Sequence, residues 1–125
     1  MSLTTTPPWD DVQNYIDGDW RAPSDDGQEV VNPATGETVS YVGFSSETDV
    51  DEAVQAGQEA FEDWGTTPVE ERIQPLFELK RLLEVHQDEL AEILVQEHGK
   101  TLAEANGELR RGIENVEVAC GIPSM

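Results

Sequence analysis

The stretch Glu97–Cys120, EHGKTLAEANGELRRGIENVEVAC, holds a helix stop, a helix start and one long apolar stripe. Gly99 directly after His98 is a left-handed C-terminal stop. Thr101 and Glu104 stand at capping-box spacing, where the hydroxyl accepts the N–H three residues on and the carboxylate reaches back to the first N–H. Beyond the box, Leu102, Ala105, Leu109, Gly112, Ile113, Val116, Ala119 and Cys120 keep to one side of a 3.6-residue period. The pattern predicts an amphipathic helix that Pro123 ends.

Working upstream, the same signals recur. Asp88 caps a segment running from Glu89 to His98. Thr67-Pro68-Val69-Glu70 reads as another capping box with proline at the first helical position. The helix it opens carries Val69, Ile73, Leu76, Phe77, Leu82 and Leu83, with a kink expected at Pro75, which has no N–H to give. Val50, Ala53, Val54, Gly57, Ala60, Phe61 and Trp64 form a further stripe, with Ser46 as N-cap and Gly65 as stop. Before Ser46 the period is two. Asn14-Tyr15-Ile16 and Asp19-Trp20 flank Asp17-Gly18, a two-residue hairpin turn. After a polar loop from Ala22 to Gln28, Glu29-Val30-Val31 and Thr38–Val42 flank the turn Asn32-Pro33-Ala34-Thr35-Gly36-Glu37. The chain therefore reads as two β-hairpins followed by about four α-helices. Residues 1–13 are expected to be a flexible lead-in, 14–45 the hairpin region and 46–125 the helical part.

Composition narrows what such a chain can do. It has 125 residues, 27 Asp and Glu against 7 Lys and Arg, and a formal net charge of −20. No cation precedes Arg21, and none lies between Arg21 and Arg72. Nucleic-acid and anionic-membrane binding both need clustered Lys and Arg, so both are excluded. Hydrophobic residues make up 37%, below the roughly 45–50% of an ordinary domain, so a thin core is expected. The start, MSLTTTPPWDD, has neither the basic region nor the apolar run of a signal peptide. No apolar run approaches the about 20 residues of a membrane span. A single cysteine, Cys120, fits a reducing, cytoplasmic setting. The carboxylates are spread evenly and interleaved with apolar residues, and the only lysines are Lys80 and Lys100. An acidic partner for a basic protein would concentrate charge on one face, whereas a halophilic surface is acidic on every solvated face, with salt screening the self-repulsion. The even profile favours the second reading.

Motifs of site chemistry are sparse. No glycine pattern matches a dinucleotide or phosphate loop. His86 and His98 lie too far apart for paired ligation, read as solvated residues near helix ends, and give no metal site. Cys120, on an apolar stripe without a neighbouring histidine, reads as a buried structural thiol. Arg110 and Arg111 are the only adjacent arginines. They read either as helix-surface ion pairs, Arg110 with Glu114 and Arg111 with Glu108, or as a guanidinium site for an anion. Residue spacing alone favours the ion pairs.

In order and spacing, several pieces together resemble the N-terminal part of the aldehyde dehydrogenase superfamily. They are Tyr15–Trp20, Asn32–Glu37, Asp49–Val54 running to Ala60–Trp64, Glu71-Arg72, Asp88–Ala91 and Glu97–Ala105. Gly107–Glu117 with Ala119–Ser124 resembles the methylmalonate-semialdehyde dehydrogenase branch. The resemblance implies an α/β family fold of which this part lacks the Rossmann-type sheet, residues 46–125 being an incomplete helical part of the NAD-binding domain. It implies an NAD-dependent, coenzyme A-acylating oxidation of methylmalonate or malonate semialdehyde, in an enzyme expected to be a homo-oligomer. It assigns the substrate carboxylate to Arg111, the arginine directly before Gly112-Ile113-Glu114-Asn115-Val116-Glu117. It places the nucleophilic cysteine and most cofactor contacts further along than these residues, so no catalytic, cofactor-binding or metal residue is assigned, and neither NAD nor coenzyme A is expected to bind this part, which is expected to be inactive alone. The alternatives are part of a broader-range, non-acylating aldehyde dehydrogenase and a stand-alone acidic helical interaction module.

Overall fold

The computed structural model describes residues 11–124, so most of the expected lead-in lies outside the described residues. Two compact units follow one another, residues 1–63 and 64–125.

In the first unit, strands β2 (Asn14–Ile16) and β3 (Asp19–Arg21) form the first hairpin. Asp17 and Gly18 both take positive φ, 53° and 82°, which gives the turn the twist the strands need. Tyr15 and Trp20 face each other across it, ring centroids 4.9 Å apart. Strands β4 (Asp25–Val31) and β5 (Thr38–Phe44) form the second hairpin. In its turn, Asn32 Oδ1 accepts the Ala34 N–H at 2.9 Å, and Gly36 closes the loop at φ 77°.

The strand β4 starts earlier than the polar composition of Ala22–Gln28 suggested. Gly27 is the reason: a Cβ there would lie 1.8 Å from the Val42 carbonyl oxygen. Its bare Cα lets the irregular pairing between Asp25 and Gly27 continue the ladder. Strand β1 (Asp11–Val12) adds to the other edge of β5 in parallel, giving the order β1-β5-β4.

Helix α1 (Glu47–Trp64) opens where Ser46 Oγ accepts the Asp49 N–H at 3.2 Å and Asp49 accepts the Ser46 N–H at 2.7 Å. Ser24 donates to the same carboxylate through its hydroxyl and its N–H. These bonds, the Ser24 hydroxyl first, hold the Asp49 carboxyl at about 2. The stripe forms as a helix face, yet α1 buries no residue, and Val50, Val54 and Phe61 stay exposed.

In the second unit, Pro75 divides a helix where a kink was expected. Helix α2 (Val69–Arg72) ends at Ile73, and α3 (Gln74–Val85) begins with Pro75 in its first turn. Proline removes a bond that the helix interior needs and its first turn does not. The Gln74 amide donates to the Glu70 carbonyl at 3.0 Å. The N-cap of α2 is Pro68, not Thr67, and it has no side-chain cap. Helix α4 (Gln87–His98) begins two residues before the expected start, with His86 as N-cap and Asp88 inside the first turn. Gly99 stops it at φ 66°, as expected.

Helix α5 (Leu102–Gly121) is the centre of this unit, and α3 and α4 both pack on it. Its buried residues are Ala105, Ile113 and Cys120, all on the expected stripe. Ala91 of α4 and Ala105 of α5 are fully buried.

Two glycines should respond oppositely to alanine. Gly57 in mid-α1 has nothing within 4 Å of a built Cβ, so Gly57→Ala is expected to stabilise the helix by about 0.8–1 kcal/mol. Gly27→Ala is expected to strip amide-exchange protection from β4 and β5. Protection equal to the parent's would contradict the close approach.

Candidate functional site

Lys100, Glu104, Gly107, Glu108 and Arg111 line an open concavity of about 350 Å³ in the second unit. Local sequence builds it. Gly99 ends α4, Lys100 follows, and Thr101 opens α5, so a single residue links two helices whose ends are both fixed. Thr101 Oγ1 accepts the Glu104 N–H at 3.3 Å, and Glu104 Oε2 accepts the Thr101 N–H at 3.1 Å. From that start, positions 104, 107, 108 and 111 fall on one side of α5, at about 100° per residue. Ile113 and Cys120 fall opposite, in the core.

The charges in the concavity are unequally engaged. Lys100 Nζ lies 2.6 Å from Glu108 Oε2, and its side chain is only 16% exposed. Arg111 is 72% exposed, and the nearest approach of its guanidinium to a carboxylate among the described residues is 3.9 Å, to Glu108 Oε1. That distance is beyond a hydrogen bond. Arg110, by contrast, is held by Glu114 at 3.2 Å and Glu117 at 3.6 Å. Glu117 also receives Lys80 of α3 at 3.3 Å, so Arg110 belongs to a network joining α3 to α5. Of the two adjacent arginines, the structure engages Arg110 and leaves the Arg111 fork open.

Hydrogen bonds from Thr101, hydroxyl first, hold the Glu104 carboxyl below the ordinary glutamate range. The Lys100 hydrogen bond does the same for Glu108. Both concavity carboxylates are therefore ionised at neutral pH and each is held by its own partner. Sequence reading found Arg111 but missed Lys100, whose partner is eight residues away and outside helical spacing.

The other candidates are not brought to this place. His86 is the N-cap of α4 and contacts Glu89 at 3.1 Å. His98 is exposed in the last turn of α4. No group of three metal-ligating side chains occurs among the described residues. Cys120 is buried on the core face of α5. The one long strand-to-helix junction, β5 to α1, has Ser45-Ser46 where a pyrophosphate needs glycine, and the Asp49 carboxylate already occupies the helix N-terminus. No helix among the described residues is long and apolar enough to cross a membrane.

Comparison with known proteins gives this geometry a context. The model of the Aldehyde dehydrogenase family matches residues 20–125. The chain is 48% identical over 126 residues to malonate-semialdehyde dehydrogenase 1 of Geobacillus kaustophilus, covering 100% of this chain and 26% of that protein. It is similar to the crystal structure of a methylmalonate-semialdehyde dehydrogenase from Oceanimonas doudoroffii, with TM-score 0.83, 44% identity, and 88% and 22% of the two chains covered. It is also similar to a Sinorhizobium meliloti 1021 structure complexed with NAD, with TM-score 0.85, 34% identity, and 93% and 24% covered. The chain thus spans about a quarter of the length of the relatives it matches.

The capping box predicts a pH response. The Glu104 carboxyl is depressed in the fold, so its contribution is complete above the ordinary glutamate value and is lost as pH falls through the depressed one. Thr101→Ala should raise the Glu104 midpoint towards the ordinary range in a carboxyl NMR titration and cost about 0.5–2 kcal/mol. An unmoved midpoint would show that Thr101 does not hold Glu104.

Proposed function

The chain belongs to the aldehyde dehydrogenase family, and from that premise we propose that it forms the N-terminal portion of an NAD-dependent, coenzyme A-acylating dehydrogenase of malonate or methylmalonate semialdehyde. Its own contribution is to bind the substrate carboxylate through Arg111. The observation that carries this reading is the open Arg111 fork beside two carboxylates that are already held. A planar guanidinium takes a carboxylate by two parallel hydrogen bonds, and a semialdehyde of a dicarboxylic acid presents such a group at the end away from the reacting carbon. Binding at that end fixes which aldehydes are oriented for attack.

The bound nicotinamide would accept the hydride. The Asp49-capped start of α1 supports leaving the cofactor to the rest of a complete enzyme, the chain's own part being recognition and orientation. The buried thiol of Cys120 cannot reach a substrate, so the nucleophile is assigned to the rest of a complete enzyme, and the 125 residues alone are inactive. Helices α1, α3 and α5 leave Val50, Phe61, Phe77 and Val118 exposed, faces for further chain to cover. A homo-oligomeric, cytoplasmic enzyme adapted to high salt completes the reading, the last supported by the net charge of −20.

Two experiments test this. The chain is grafted in place of the matched quarter of the Geobacillus kaustophilus enzyme, and kcat/KM is measured for malonate semialdehyde and for propanal. Arg111→Leu should lower kcat/KM for the carboxylated aldehyde by roughly tenfold to a hundredfold, the size of a lost charged hydrogen bond, and leave propanal unchanged. Unchanged selectivity would support the broader-range reading instead. For salt, the urea midpoint of the 125-residue chain should rise from 0.1 M to about 2 M KCl as repulsion is screened. A flat or falling midpoint would remove the halophilic reading.

A further inference from the structure

We propose that Lys100 is a positioning residue for substrate selectivity: by holding Glu108 on its own ammonium, it keeps the Arg111 guanidinium free for the substrate carboxylate. The inference rests on the Arg111 reading above and adds two residues to it.

Glu108 is the carboxylate best placed to occupy Arg111. It lies one helical turn before it, at a spacing where oppositely charged side chains normally pair. Yet the pair stands at 3.9 Å, while Lys100 binds the other oxygen of the same carboxylate at 2.6 Å. A guanidinium fork engaged with an internal glutamate cannot also take a substrate carboxylate through the same N–H groups. Lys100 decides between these two arrangements.

The lysine is built for that task. It sits on the single-residue link between the left-handed Gly99 and the capped Thr101, so its backbone is fixed on both sides. Its side chain is largely shielded from water, unlike the exposed Arg111. Shielding strengthens the Lys100–Glu108 attraction relative to that at the exposed arginine. The second carboxylate of the concavity, Glu104, is engaged by Thr101 and offers Arg111 no alternative partner. A glutamate without such a partner is still ionised at neutral pH, so without the lysine Glu108 would remain a charged competitor.

The test uses the grafted full-length enzyme, with malonate semialdehyde and propanal as substrates. Lys100→Met should raise KM for malonate semialdehyde roughly tenfold, the lower end of the effect of losing a charged hydrogen bond. It should leave kcat and the propanal kinetics unchanged. Adding Glu108→Gln to Lys100→Met should restore KM, because the competing carboxylate is gone. A purely structural lysine would affect both substrates and would not be rescued. Unchanged KM in Lys100→Met, or no rescue by Glu108→Gln, overturns the proposal while Arg111→Leu still abolishes selectivity. If Arg111→Leu leaves selectivity intact, the underlying reading fails instead. Where Lys100→Met gives no soluble enzyme, Glu108→Gln alone decides: a KM for malonate semialdehyde at or below the parent's upholds the proposal, and a raised KM overturns it.

Discussion

The rotational register of helix α5 is the constraint on which residues 64–125 depend. The turns that bury Ala105, Ile113 and Cys120 against α3 and α4 also place Glu104, Gly107, Glu108 and Arg111 on the opposite side. A shift of one residue would turn every side chain by about 100°. It would take Ile113 out of the core and Arg111 off the concavity together. The capping box at Thr101 sets where this register starts, and the fully buried Ile113 locks it. The same packing that stabilises the unit therefore also shapes the concavity.

Local signals in the sequence were reliable where the physics is local. Asp17-Gly18, Gly36, Ser46, Gly99 and Thr101 act through positive φ or through a hydrogen bond to a backbone group within a few residues, and all were legible as turns or helix ends. Two local signals, the Thr67 capping box and the Asp88 cap, did not hold; the other misjudged features depended on partners remote in sequence. The strand start at Asp25 needs the carbonyl of Val42 lying against Gly27, and β1 needs the free edge of β5. Pro75 was recognised as a disturbance, but whether it bends or divides a helix depends on how the freed groups are satisfied, which Gln74 and Ile73 settle.

The candidate site shows the same division. Arg111 stood out as one of two adjacent arginines, but spacing could not tell it from Arg110. The difference lies in Glu117, which Lys80 approaches from another helix and which draws Arg110 into its network. Lys100 escaped notice because its partner is reached across the α4–α5 link. The apolar stripes were correct as faces and silent about their cover. Helix α1 keeps its stripe exposed along its whole length, and a periodic pattern names a face without naming what packs on it. The acidity is separate again. It belongs to the solvated surface, while the proposed chemistry turns on the exposed Arg111 guanidinium.

The most direct measurement is a crystal structure of the grafted full-length enzyme with malonate bound as a substrate mimic. The Arg111 fork should hold one carboxylate in two parallel hydrogen bonds of about 2.7–2.9 Å, with Glu108 still on Lys100. Malonate bound away from Arg111, or Arg111 closed onto Glu108 while malonate is held by other residues, would contradict the assignment of substrate recognition to this chain.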